Sequence, residues 1–313
     1  MRVLIALGGN AMTGPGGDAS TESQQKAIAR ACERLADLVV AGHDIVLTHG
    51  NGPQVGNLLV KNEMAAGEVP PVPLDWCVAQ TQATIGFTIQ NSLAAALLAR
   101  GLRRETAALV TRTVVDVDDA AFTRPTKPIG RYLSRERAQQ LLDHGQHWED
   151  RGERGWRRVV ASPKPLEVLD VATMSALISS GHVVIAAGGG GIPVVRNPDG
   201  TLRGVEAVID KDLTATLLAR SLAVDVLLIA TDVSHVMVDF GTPQAQALDR
   251  ISAAELREHA HAGQFGSGSM GPKVEAALGF VEGGGTRAVI TSLDRIADGV
   301  RGTYGTVIDA TTA

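Results

Sequence analysis

Long apolar runs are missing from this chain of 313 residues. The longest, such as Leu93 to Ala99, stop well short of the ~20 residues that a membrane-spanning helix needs. A surplus of positive charge is missing too: 29 Lys and Arg stand against 34 Asp and Glu, a net charge of -5. That balance argues against nucleic acid or an anionic membrane as the main partner, so an anionic ligand must be held by a few local cations. Cysteine is scarce. Cys32 and Cys77 lie in helix-like segments without CxxC or histidine spacing, and neither a disulfide nor a zinc site is expected. Aromatic residues make up only 3% of the chain. Several signatures are also absent. Without GxxxxGK[ST] the P-loop nucleoside triphosphatases are excluded, and no HEXXH, GxSxG or recognisable Cys–His pairing points to hydrolysis.

What the chain does have is ordinary globular composition, with 44% hydrophobic and 20% charged residues, and an excess of glycine, 35 in all. Short apolar runs alternate with longer helical patterns. Strands are expected at Val3 to Leu7, Ile45 to Thr48, Ala107 to Thr111, Val183 to Ala187, Val224 to Ala230 and Ala288 to Ile290. Ile28, Cys32, Leu35 and Val39 recur at helical spacing, with Thr21 as the expected N-cap. Further helices are expected at Val55 to Met64, Cys77 to Arg100, Leu213 to Ser221, Ala253 to His261 and Lys273 to Val281. Several strands are apolar throughout, as when helices cover both faces of a parallel sheet, so the expected fold is α/β with an open, mostly parallel sheet. The opening segment has no signal-peptide apolar core, and a soluble cytoplasmic protein is expected. From Asp116 to about Arg158 the chain is charged and turn-rich, which marks a disordered insert or a small accessory subdomain. Asn197-Pro198-Asp199-Gly200 reads as a hairpin turn.

Three glycine clusters follow strands: Gly8-Gly9-Asn10, Gly50-Asn51-Gly52-Pro53, and Gly188 to Gly191. Turns at the carboxyl ends of parallel strands gather backbone N–H groups where phosphate or carboxylate oxygens bind. Any one cluster alone is more simply a strand-to-helix turn; their co-occurrence favours a ligand site. After the third, Ile192 to Val195 reads as another strand and not as the start of a helix, which disfavours dinucleotide binding. Only six residues are lysine, and three lie in compact turns: Lys127 in Pro125 to Gly130, Lys211 in Ile209 to Asp212, and Lys273 in Gly268-Ser269-Met270-Gly271-Pro272-Lys273. An ammonium is a compact charge that can follow a migrating phosphoryl group, although a solvated surface is the commoner fate of lysine. His49 is either a general base or a buried histidine satisfied by backbone. Transfer of a phosphoryl group to an anionic oxygen needs no base, only positioning and positive charge, and this inventory suits it.

In these segments the chain resembles the carbamate kinases, members of the amino-acid kinase superfamily. The resemblance runs almost end to end, through Ala6 to Ala11, Thr48 to Gly56, Pro73-Leu74-Asp75 with Cys77 to Gln82, Pro125 to Gly130, Val159 to Pro163, Ala186 to Pro193, Gly204 to Asp212, Ala230 to Val233, and Gly263-Gln264-Phe265 leading into Gly268 to Ala276. It implies a three-layer α/β/α sandwich, a homodimer, and a protruding subdomain at 119–158 that carries Lys127 toward the acceptor. It further implies an acceptor-binding lobe over about 1–220 and a nucleotide-binding lobe over about 221–313. The turns Gly8-Gly9-Asn10 and Gly50-Asn51-Gly52 would hold carbamate and the migrating phosphoryl group. Lys211 and Lys273 would neutralise nucleotide phosphates, with Asp212 orienting both. Thr231, Asp232 and Val233, with Met270, Gly271 and Pro272, would lie beside the nucleotide, and Mg²⁺ would be held mainly by phosphate oxygens. Relatives that phosphorylate other acceptors often carry a lysine two residues before the first glycine pair, where this chain has Ala6. The implied reaction is reversible exchange between ATP with carbamate and ADP with carbamoyl phosphate, run toward ATP in catabolic routes such as arginine breakdown. A kinase for another small carboxylate, or a non-catalytic regulator binding ATP and an anion, are the alternatives; substrate competition and an eroded lysine or loop would distinguish them.

Overall fold

The structure, a computed structural model, describes residues 1–13, 18, 20–143, 145–266 and 270–310, with Asn10 and Ala11 described for backbone only. The chain begins with β1 (Arg2–Leu7), α1 (Thr21–Val40), β2 (Asp44–His49), α2 (Gly52–Ala65), α3 (Leu74–Ala99) and β3 (Thr106–Ala108). It continues through β4 (Arg112–Val115), β5 (Lys127–Leu133), α4 (Arg135–Leu142), β6 (Trp148–Asp150), β7 (Trp156–Val160) and β8 (Pro165–Val168). Next come α5 (Val171–Ser179), β9 (Val183–Ile185), β10 (Ile192–Arg196), β11 (Leu202–Gly204) and α6 (Lys211–Ser221). The last part holds β12 (Val226–Thr231), β13 (Val236–Val238), β14 (Gln246–Leu248), β15 (Arg250–Ser252), α7 (Ala253–His261), α8 (Met270–Glu282), β16 (Arg287–Ser292), α9 (Ile296–Arg301) and β17 (Thr306–Asp309).

Among the described residues the main sheet has eight strands in the order β15-β17-β16-β12-β1-β2-β9-β3. All neighbours pair in parallel except β16 with β17. Its strands are buried on both faces, and the side chains of β1 show why. Leu4 and Ala6 join one core with residues of α6 and α8, while Val3, Ile5 and Leu7 join another with Ile28, Cys32 and Leu35 of α1 and Ile85 and Ile89 of α3. The result is a three-layer α/β/α sandwich. β1 sits centrally, with β12 on one side and β2 on the other, so the carboxyl ends of β1, β2 and β12 open at the point where strand order reverses.

Two local expectations change and one open alternative is decided. The N-cap of α1 is Ser20, whose hydroxyl accepts from Ser23 N–H, and Thr21 is the first helical residue. β3 stops at Ala108, because Thr111 N–H is taken by Gln82 Oε1 (2.8 Å) instead of a neighbouring strand. The turn-rich insert is ordered. β5, β7 and β6 form an antiparallel sheet with α4 beside it. Ile129 and Val160 anchor that sheet in a core shared with Val55 and Leu59 of α2. Where β5 crosses α2, Gly56 meets backbone: a Cβ there would lie 3.2 Å from Gly130 Cα. The hairpin expected at Asn197 to Gly200 joins β10 to β11, closed by Asn197 N–H to Thr201 O (2.8 Å).

The two cysteines are buried, and burial pushes the Cys32 thiol up to about 12. Gly191 and Gly200 both have φ near +90°, but a Cβ on Gly191 would collide with Thr113 Oγ1, whereas at Gly200 it would meet nothing within 4 Å. Gly200→Ala should therefore cost only the left-handed strain, about 1–2 kcal/mol, and Gly191→Ala at least about 3 kcal/mol. Urea unfolding of the two variants checks this, and equal losses would contradict the packing argument.

Candidate functional site at the carboxyl ends of the central strands

The turns that follow β1 and β2 meet each other and the end of β12 through their backbones. Gly8 N–H donates to Ala230 O at the end of β12, and Gly50 N–H donates to Leu7 O, both at 2.9 Å. A Cβ on Gly50 would come within 2.8 Å of Gly9 N, so glycine is required for these turns to touch. Asn10 continues in the short 3-10 turn Gly9–Met12; its side chain lies outside the described residues, as do Gly268 and Ser269. Asn51 precedes α2, and its amide donates to Thr81 Oγ1 on α3 (2.9 Å). Gly52 and Pro53 form the first turn of α2, where the missing proline N–H leaves no helical bond unmade.

The run Gly188 to Gly191 is confined at every position. A side chain would strike His49 at Gly188, the Asn51 amide at Gly189, Ile209 O at Gly190 (2.6 Å) and Thr113 at Gly191. Ala187, Gly189, Gly190 and Gly191 all have positive φ. Hydroxyls fix the loop from outside: Thr113 Oγ1 and Thr214 Oγ1 donate to Gly190 O at 2.9 and 3.0 Å, and Gln82 Nε2 donates to Gly188 O at 2.9 Å.

α6 starts against this loop with three consecutive charged residues. Asp210 is its N-cap; Oδ1 accepts from Asp212 N–H (2.9 Å) and Leu213 N–H (3.4 Å). Oδ2 of the same carboxylate accepts from Lys127 Nζ at 2.8 Å. The Asp212 carboxylate, only 3% exposed, lies between two ammoniums. Lys211 Nζ donates to its Oδ1 and Lys273 Nζ, in the first turn of α8, to its Oδ2 (3.0 Å). Burial would raise the pKa of Asp212, yet the two lysines outweigh it and hold the carboxyl below its ordinary 3.8. Lys211 is pushed down, first by burial, with Lys273 adding to the effect against the pull of Asp212.

Lys127, Lys211, Lys273 and Asp212 thus fall into one alternating array, Lys127–Asp210 followed by Lys211–Asp212–Lys273. Thr231 ends β12, with its hydroxyl donating to Asp232 Oδ1 (3.0 Å), and Val233 is exposed beyond it. Met270, Gly271 and Pro272 open α8 ahead of Lys273. The sequence reading missed Asp210, Gln82, Thr113 and Thr214 as parts of this framework. An Asp immediately before a helical pattern is an N-cap signal and would have found the first; nothing local marks the others.

His49 is fully buried, with Nδ1 2.9 Å from Gly50 O. A carbonyl only accepts, so Nδ1 carries the proton. Burial first, and the Lys211 charge to a smaller extent, depress its pKa to about 4 against the hydrogen bond to Gly50 O. The imidazole is neutral with Nδ1–H engaged by backbone, which fits the buried histidine of the two readings, and a pKa of about 4 makes it a weak base. Arranged in this way, backbone N–H groups and three ammoniums can bind anionic oxygens and stabilise charge as it moves between them.

Comparison with known proteins identifies the family. The model of the amino acid kinase family matches residues 1–292. The chain is 43% identical to the carbamate kinase-like protein YqeA of Escherichia coli (strain K12), over 98% of each chain. It is also 43% identical to carbamate kinase 1 of Enterococcus faecium, over 94% of each. The carbamate kinase from Giardia lamblia bound to AMP-PNP superposes with a TM-score of 0.92 at 39% identity, covering 98% of both chains.

Depressed titration of His49 has a consequence for stability. The unfolded chain takes up a proton near 6.5 that the native chain accepts only near 4. Stability therefore falls as pH drops through that window, by up to about 3 kcal/mol. His49→Asn, whose amide can replace Nδ1–H, should flatten the slope of urea stability between pH 6.5 and 4.5. An unchanged slope would refute the buried neutral imidazole.

Proposed function

The chain belongs to the amino acid kinase family and within it to the carbamate kinases, and we propose that it exchanges a phosphoryl group between ATP with carbamate and ADP with carbamoyl phosphate. The observation that carries this reading is the array of Lys127, Lys211 and Lys273, each held by a carboxylate of α6 beside three backbone-lined turns. On this reading the turns Gly8-Gly9-Asn10 and Gly50-Asn51-Gly52 hold carbamate and the migrating phosphoryl group, Gly8 and Gly50 shaping them through their N–H bonds to Ala230 O and Leu7 O. Lys211 and Lys273 hold phosphate oxygens on the nucleotide side, and Asp212 keeps their ammoniums from separating. Thr231, Asp232 and Val233, with Met270, Gly271 and Pro272, border the nucleotide. The acceptor oxygen carries no proton, so no base is required, which agrees with a neutral His49 engaged by backbone.

Among the described residues no group of three or more His, Cys, Asp or Glu is placed to hold a metal. Asp210 and Asp212 are occupied by lysines. This donor set fits Mg²⁺ carried by the nucleotide phosphates, where it would neutralise phosphate charge. We assign about 1–220 to the acceptor lobe, with the protruding subdomain at 119–158, and about 221–313 to the nucleotide lobe. The working state we infer is a homodimer in the cytoplasm, running toward ATP in a catabolic route such as arginine breakdown, because an acyl phosphate transfers its phosphoryl group downhill. Among the described residues no helix is long and apolar enough to cross a membrane.

The test is ATP formation from ADP, Mg²⁺ and fresh carbamoyl phosphate. The parent should turn over rapidly, and Lys211→Ala should lose at least about 100-fold in kcat, as for removal of one preorganised donor. Lys273→Ala should lower kcat far more than it raises KM, since its charge matters most in the transition state. ATP no faster than spontaneous breakdown, from folded parent protein, would overturn the assignment.

A further inference from the structure

Asp210 lies outside the lysine and glycine set assigned to the reaction, yet its two carboxylate oxygens face different parts of the molecule. Oδ1 caps α6, the helix that begins with Lys211 and Asp212. Oδ2 holds the Lys127 ammonium, which arrives from β5 in the subdomain, 83 residues earlier in the chain. The Lys127 side chain is 38% exposed, so packing alone does not fix it, whereas Asp210 is only 15% exposed and is pinned by two backbone N–H groups. A flexible ammonium is thus tied to a rigid carboxylate. Without that charge Lys127 would meet the positive end of α6, which repels it.

We infer that Asp210 is a positioning residue that fixes Lys127 for the acceptor side of the reaction and couples the subdomain to the helix carrying the nucleotide-side charges. This inference rests on the proposed carbamate kinase reaction for its kinetic part. Its structural part is independent: the Lys127–Asp210 pair is a tether between β5 and α6, reinforcing the apolar contact of Ile129 and Val160 with α2. The carboxylate moves no proton and touches no reacting atom; it acts through Lys127.

Asp210→Asn separates the two duties, because asparagine is an equally good N-cap but carries no charge. In Asp210→Asn the KM for carbamoyl phosphate should rise about tenfold, the scale of one charge-assisted hydrogen bond, while the KM for ADP stays within about twofold. Lys127→Ala and the double variant should be equally impaired, since removing Asp210 costs nothing further once Lys127 is gone. Hydrogen–deuterium exchange should speed up in 127–133 and 156–160 in Asp210→Asn, with α6 unchanged. Kinetic constants within twofold of the parent, or additive losses in the double variant, would overturn the positioning role. If the parent turns over no carbamoyl phosphate, the proposed reaction fails, and the exchange measurement then decides the tether: unchanged exchange in 127–133 overturns it.

Discussion

Two ammonium groups cannot be buried side by side unless a carboxylate stands between them. Each buried ion forfeits several kcal/mol of hydration, and the loss is recovered only through close, well-directed partners. Lys211 and Lys273 come from different helices, and both side chains are nearly enclosed. Asp212 is what lets them approach, so the separation of α6 and α8 is set by the reach of one carboxylate. One turn further along, Thr216 Oγ1 donates to Ala276 O (2.7 Å) and secures the same pair of helices. Between Asp212 and Thr216, Thr214 ties α6 to the glycine loop. Helix packing, loop placement and charge placement therefore converge on the first two turns of α6.

Much of this was legible in the sequence because periodicity reports burial directly. Six strands and the main helices were located from apolar runs, and both faces of the sheet were expected to be covered. The glycine turns and the three lysines stood out for chemical reasons, and the end-to-end resemblance assembled them into one site. Relationships across long sequence separations were not legible. Nothing near Lys127 names Asp210 as its partner, and nothing near Gln82 reveals that this helical side chain satisfies Thr111 N–H and Gly188 O together. The insert from Asp116 to Arg158 looked irregular because its strands are short and face a small core shared with α2, giving no long period to detect.

His49 shows how a titratable group can serve by staying uncharged. Placed beside Lys211, a protonated imidazole would add a further positive charge to a region already held in balance by two carboxylates. Burial, helped by the Lys211 charge, keeps it neutral against the pull of the Gly50 carbonyl, and its ring fills the space that a side chain at position 188 would need. Its contribution is steric and electrostatic rather than chemical.

The tetraglycine loop has a bearing on how such a site changes over generations. Each of its four positions is closed to a side chain by a different neighbour, on β2, β4, the residue before α2 or the segment entering α6. A floor written in main chain offers no handle to point mutation: every single substitution strains the backbone or displaces a neighbour. Selectivity in this architecture is therefore adjustable from the insert and the lysine-bearing elements, while the floor beneath them is inherited as a block.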